Sequence, residues 1–333
     1  MGNSNFTLQF GFSGLSVVTN NTLLNTNNTG KVIVVSRSVD ENVTKQVVFN
    51  SNYLYSVEFM ASQDLSFEDL MKSKSPVVVI SFDSFLKIFK NHNNLRIISS
   101  CRKGLIEYSR RMKDMNASGI IVSFDNDPEV AIEAQKILGE SFIVKKGVPH
   151  AVVSSFKNED KRVIAHGEHR GGLFVFPPEC NKILKFKKAP GIIITKSQYE
   201  FDDYVKAKVI FVNGLHTIAC LAAYKRLGFT DEVGEKAFCD IPEKELDKIL
   251  DEVLKAASSV WMLSKGEFST FGTNEYDNWI LVSKEFIKYL FSSSNEKINR
   301  GIKLDLTGLQ KIEYHKKYLG NYYKFTGYKK YFK

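Results

Sequence analysis

Five short apolar runs dictate what this chain can fold into. Thr7-Leu-Gln-Phe10, Lys31-Val-Ile-Val-Val35, Val77-Val-Val-Ile80, Arg96-Ile-Ile98 and Ile120-Ile-Val122 are rich in β-branched residues and too short for helices. The longer ones lack the polar alternation of a strand with one wet face, so they predict strands buried on both sides. Helix-like stretches lie among them, over residues 83–89, 104–115 and 127–138. In the last of these, Asp127-Pro128 reads as an N-cap followed by proline at the first helical position. Strand–helix alternation of this kind argues for a parallel sheet covered by helices on both faces.

The rhythm changes after Gly139. Residues 142–146, 151–156, 161–166 and 172–176 read as strands separated by turn residues, an antiparallel extension of the sheet. Pro177-Pro178 and the stretch from Lys185 to Gly191 mark a hinge-like region. From Ser197 onward the signals are mostly helical, clearest from Asp240 to Ala257, where apolar residues recur at three- and four-residue steps. Two domains follow, residues 1–190 and 191–333, which suits a chain of 333 residues.

Composition narrows the function classes. No run reaches the ~18 uninterrupted apolar residues of a membrane span, and Met1–Phe6 lacks the basic and apolar regions of a secretory signal. Cys101, Cys180, Cys220 and Cys239 show no paired spacing, so neither a disulfide framework nor a zinc site is expected, and a reducing cytoplasm is the expected home. The net charge of +9 is concentrated in part at Lys182–Lys188 and in the tail from Lys316 to Lys333, where lysines alternate with aromatics. Such interleaving can serve nucleic acid. The preferred readings are a solvated face, or a field that attracts a phosphorylated or acidic small substrate or a phosphate-bearing cofactor.

Gly11-Phe-Ser13-Gly14-Leu15-Ser16 stands after the first strand and before a helix, where a dinucleotide-binding turn stands in α/β folds. Serines occupy the second and third spaced glycine positions, and the helix N-terminal amides remain available to a phosphate. An ordinary strand–helix turn is the competing reading. The second strand ends in Val35-Ser36-Arg37, a pair better suited to a 2′-phosphate than to a bare ribose, which favours NADP over NAD; a solvated loop arginine is the alternative. Ser123-Phe-Asp125-Asn126-Asp127 ends a buried strand at the sheet's carboxyl edge, where Asn126 either serves a ligand or caps the next helix.

The segment Lys208-Val-Ile-Phe-Val-Asn213-Gly-Leu-His216 sets three hydrogen-bonding side chains in an oily run from Tyr204 to Leu227. On a regular helix Lys208, His216 and Asn213 lie at roughly 0°, 80° and 140°, within one arc. Asn213-Gly214 between apolar runs is equally a hairpin signal. Leu227-Gly228 at the end of the run reads as a helix C-cap and argues for the helix.

Extended as Phe211-Val-Asn213-Gly-Leu-His216-Thr-Ile-Ala219, the segment resembles the signature of the polyol-specific long-chain dehydrogenases, among them mannitol dehydrogenase, mannitol-1-phosphate dehydrogenase and fructuronate reductase. Ser123-Phe-Asp125-Asn126 is similar to that family's Ser-Cys-Asp-Asn element. The resemblance implies an α/β fold: a Rossmann-like N-terminal domain with the antiparallel extension, and a mostly α-helical C-terminal domain. It implies Lys208 as general acid/base, Asn126 and Asn213 as hydrogen-bond donors to a developing alkoxide, and His216 as an orienting group, without a metal. Gly11, Ser13, Gly14, Leu15, Ser16 and Arg37 would hold NAD or NADP. Val148-Pro149-His150 stands where the family carries Val-Asp-Arg. The function expected is NAD(P)-dependent interconversion of a polyol, sugar acid or sugar phosphate with its keto form. A catalytically impaired homologue that binds a metabolite or a protein is the alternative.

Overall fold

The computed structural model describes residues 6–25, 30–62, 64–101, 104–125, 128–150, 153–167, 173–181, 191–228 and 230–291. It divides into two compact units, Met1–Gln198 and Tyr199–Lys333. The first is a Rossmann-like α/β domain and the second is helical. The basic segment from Lys182 to Lys188 and the tail beyond Phe291 lie outside the described residues.

In chain order the first unit begins β1 (Phe6–Phe10), α1 (Gly14–Leu24), β2 (Lys31–Ser36), β3 (Val43–Phe49), β4 (Asn52–Met60), α2 (Phe67–Lys72) and β5 (Val77–Ser81). It continues through α3 (Phe82–Phe89), β6 (Leu95–Ser99), α4 (Gly104–Met112), β7 (Gly119–Ser123), α5 (Pro128–Leu138) and β8 (Phe142–Lys146). The strands lie side by side as β5-β2-β1-β6-β7-β8, every neighbouring pair parallel. By order of appearance that is 3-2-1-4-5-6, the doubly wound arrangement whose order reverses between β1 and β6. Successive side chains point to opposite faces of the sheet. Leu8, Phe10, Ile33, Val35, Val78, Ile80 and Ile97 pack against α3, α4 and α5. Val32, Val34, Val77, Val79, Ile98 and Ile120 share the other face with Val17 and Leu23 of α1.

The antiparallel extension departs in detail from its expected form. Phe142–Lys146 pairs in parallel with β7 and is the sixth strand of the doubly wound sheet. The extension instead lies on the opposite edge, beyond β4. There β3 runs antiparallel to β4, and the hairpin β10 (Val153–Asn158) and β11 (Arg162–Gly167) joins it, with β11 parallel to β3. The turn between β3 and β4 holds Asn50 and Ser51 at φ 47° and 65°, the two left-handed residues of a tight hairpin. A separate small sheet combines β9 (Val148–Pro149), β12 (Phe174–Phe176) and β13 (Ile192–Ile194). Lys31 is buried at the start of β2, where its Nζ donates to the carbonyls of Leu70 (2.9 Å) and Ser73 (2.6 Å) and satisfies the end of α2. Burial lowers its pKa, while Glu58 acts in the opposite direction.

The second unit contains α6 (Gln198–Lys208), a π-helical turn (Val209–Asn213), α7 (Gly214–Leu227), α8 (Asp231–Glu235), α9 (Glu243–Ser264) and α10 (Thr273–Leu290). The segment from Lys208 to His216 is therefore helical throughout, and the hairpin alternative is not formed. The run Gln198–Leu227 has the length and apolarity of a membrane-crossing helix, but 83% of its most apolar window is buried inside the protein. It packs against α9 and α10, where Ile249, Val253, Val260 and Phe286 are fully buried. Asp203, also fully buried, accepts from the amide and hydroxyl of Thr270 (2.7 and 2.8 Å) and pairs with Lys206 (3.1 Å), which satisfies its charge. At its end α7 stops on Gly228, whose φ of +99° only glycine takes readily.

Candidate active site

The turn after β1 is built around two glycines. Gly11 has φ +90° and touches the β6 loop so closely that a Cβ there would lie 2.8 Å from the Cys101 Cβ. Ser100 fastens the same junction. Its amide donates to the Phe10 carbonyl (2.9 Å), its hydroxyl reaches the Phe10 and Gly11 carbonyls (3.2 and 3.3 Å), and buried Gln9 donates to that hydroxyl (3.3 Å). These bonds sit where the strand order reverses, the place ligands occupy in open α/β sheets.

Ser13 is the N-cap of α1. Its amide donates to the Ser16 hydroxyl (2.7 Å), and the Ser16 amide donates to the Ser13 hydroxyl (3.4 Å), so a capping box takes up two of the helix's first amides. Among the described residues, the amides of Gly14 and Leu15 take no acceptor. They leave a reduced form of the N-terminal anion site that a phosphate oxygen fits. The β10 strand closes over one side of this turn. A Cβ on Gly14 would fall inside the Val153 side chain and 3.4 Å from the Phe156 Cβ, and the Phe12 ring packs edge-on against Phe59 and Phe156.

Beyond the carboxyl ends of β2, β4 and β5 lies a cavity of about 390 Å³ lined by Arg37, Ser38, Val39, Ser62, Ser81 and Lys87, with Asp83 and Ser84 at its α3 side. That volume suits a small ligand or part of a larger one. Arg37 is 79% exposed and meets Glu107 at 3.5 Å, a surface pair of little net energy that an anion can displace. Asp83 is paired with Arg111. At the ends of β6 and β7 lie Ser99, Cys101, Ser123 and Asp125; burial pushes the Cys101 thiol up to about 11. Asn126 lies outside the described residues.

The helix of the second unit carries the other expected residues. From Ala207 to Tyr224 every position is buried except Lys208, Asn213 and His216, which are half-buried. The π-turn lies between them: the Gly214 amide donates to the Val209 carbonyl, five residues back. Phe211 anchors it, fully buried, stacked on Phe268 (5.9 Å) and Trp279 (6.0 Å) and edge-on to Tyr276 (5.7 Å). Thr217 donates its hydroxyl to the Asn213 carbonyl (3.0 Å). His216 Nε2 lies 3.5 Å from the Cys220 sulfur, and its ring stands edge-on to Phe286 (6.5 Å, 79°). Sequence reasoning missed Cys220, although it follows His216 by one helical turn. It also missed Ser100, Val153, Phe156 and Lys87, which only the fold brings to these places.

No family model matches the chain, and no curated protein matches it. Among solved structures, a dimeric ketopantoate reductase from Staphylococcus aureus is similar, with a TM-score of 0.49 and 8% identity over 98% of this chain and 95% of that one. A prephenate dehydrogenase from A. aeolicus, in complex with hydroxyphenyl propionate and NAD+, gives 0.38 at 12% identity, covering 99% of this chain and 95% of that one. A conserved protein of unknown function with structural similarity to 3-hydroxyacid dehydrogenases gives 0.32 at 12%, over 85% and 96%. None of the three is described as a polyol-specific dehydrogenase, and the fold assignment stands on the strand order itself.

Proposed function

We propose that this chain is a nicotinamide-dependent oxidoreductase that interconverts a polyol, a sugar acid or a sugar phosphate with its keto form, using Lys208 as the acid/base. One observation carries the reading: the three polar side chains of the signature helix are the three points between Ala207 and Tyr224 that retain solvent access. A lysine, an amide and an imidazole at those points suit chemistry on a hydroxyl or carbonyl group.

In reduction, Lys208 gives a proton from Nζ to the carbonyl oxygen as it becomes a hydroxyl; in oxidation it takes the same proton back. Buried Val209, Ile210 and Phe211 keep water from the base of that side chain. Asn213 donates to the oxygen while it carries negative charge, and His216 orients a neighbouring hydroxyl. The resemblance alone gives Asn126 a role beside Asn213. When bound, the nicotinamide supplies or accepts the hydride. The Gly14 and Leu15 amides would hold a phosphate oxygen of NAD or NADP, and Ser36-Arg37 favours NADP. A reducing cytoplasmic setting goes with this reading.

The test is a panel of NADH and NADPH against fructose, fructose 6-phosphate, fructuronate and tagaturonate, followed by cofactor absorbance. Turnover is expected with at least one pair, and Lys208→Ala should lower it by at least about 10²-fold. Folded protein that binds neither cofactor by calorimetry would sink the proposal. The capping box and the Val153 contact over Gly14 favour a second reading, a metabolite-binding module without turnover. That reading predicts sugar binding that Lys208→Ala weakens and no consumption of cofactor.

A further inference from the structure

We propose that the π-turn over Val209–Asn213 is a positioning device that gathers Lys208, Asn213 and His216 onto one narrow face able to address a single extended, hydroxyl-bearing ligand. The ligand class rests on the function proposed above; the geometry does not. On an unbroken α-helix the three side chains would spread over roughly 140°. That arc would also contain Val212 at roughly 40° and Val209 at roughly 100°. Both valines are nevertheless buried, at 8% exposure each. The π-turn accounts for this. It fits one residue more into the turn than the α lattice holds, which takes roughly 100° out of every later position. Asn213 then falls at roughly 40° and His216 at roughly 340°, with Lys208 between them at 0°. The arc closes to about 60°, and both valines leave it. Along the axis the three residues span roughly 12 Å, a line that suits an open chain of hydroxyl-bearing carbons rather than a compact ring.

Two neighbours support a designed turn rather than a local irregularity. Phe211, at the middle of the turn, is clamped among Phe268, Trp279 and Tyr276, which fixes the phase of the helix there. Thr217 ties its hydroxyl to the carbonyl of Asn213, the last residue of the turn. Lys208 and Asn213, five residues apart, therefore stand one above the other, as residues three or four apart do on an ordinary helix.

The geometry is tested without any enzyme assay. In a His216→Ala background, Lys208→His with Asn213→His places two imidazoles five residues apart. Stacked by the π-turn they chelate Ni2+ and raise the melting temperature by a few degrees, whereas the His216→Ala parent does not respond. A folded double variant that shows no Ni2+-dependent rise overturns the proposal. The role is tested through Thr217, which is buried with its hydroxyl on the Asn213 carbonyl. Thr217→Val should lower kcat about tenfold with KM little changed, and Thr217→Ser should restore it. A Thr217→Val enzyme with wild-type kcat, beside a Lys208→Ala enzyme that has lost turnover, overturns the positioning role and leaves the proposed function intact. Absence of turnover in the wild type sinks the proposed function, and the Ni2+ result then decides the geometry alone.

Discussion

Single residues decide which parts of this molecule can react. The four thiols illustrate it. Cys180 and Cys220 are fully buried, Cys101 is half-buried with its thiol pushed up to about 11 by desolvation, and Cys239 is exposed. Only the thiolate is nucleophilic, so at pH 8 Cys101 carries about one part in a thousand of its reactive form. Titration with a disulfide reagent should release one thiol rapidly, and Cys239→Ser should abolish that phase. The Cys101 rate should climb roughly tenfold per pH unit toward its pKa. Two equal fast phases at pH 8 would contradict the burial of Cys101. At this scale the sequence was most informative where chemistry is unusual for its surroundings. Lys208, Asn213 and His216 stood out because a buried helix seldom carries such groups. Cys220 did not, because a cysteine in an apolar run reads as one more small hydrophobe.

Elements were legible where one local pattern specifies them. The β-branched runs predicted β1, β2, β5, β6 and β7, and α5 begins at Pro128 as the N-terminal proline requires. The β3–β4 hairpin was not recognised, since its turn uses Asn50-Ser51 without the glycine that usually marks such turns. The parallel pairing of β8 was equally hidden, because strand direction is set by where the chain returns and not by the strand's own residues. The π-turn leaves no mark in composition; its β-branched run also suits a strand. Contact between distant elements supplies a test. Gly14 of α1 lies against Val153 of β10, so Gly14→Ala should cost about 1–3 kcal/mol by overpacking in the wild-type background. In a Val153→Ala background the same change should cost less, because the γ-carbon that lies 2.3 Å from the new Cβ is gone while the Cβ of residue 153 remains at 3.1 Å. Melting temperatures of the four proteins of this cycle measure the coupling. Equal effects in both backgrounds would show that β10 does not rest on α1.

For the whole molecule the balance of charge matters more than any one pair. The excess of nine positive charges over the chain favours anionic partners at long range, while Arg37 and Lys87 at the cavity each sit in an exposed ion pair, with Glu107 and Asp64. If NADP is the cofactor, NADPH should bind more tightly than NADH by calorimetry, with the preference shrinking as salt is raised. Arg37→Ala should bring the two to parity, and a preference that survives it would remove Arg37 from that role. The place where β10 meets α1 also bears on how relatives of this chain can diverge. Val153 fills the space that a side chain at position 14 would occupy, so two residues 139 positions apart share one volume. A relative with a larger residue at 14 must carry a smaller one at 153 or shift the hairpin outward. Exchange at these two positions would therefore be correlated, and a lineage that opens the hairpin would expose the first turn of α1 without changing any residue within it.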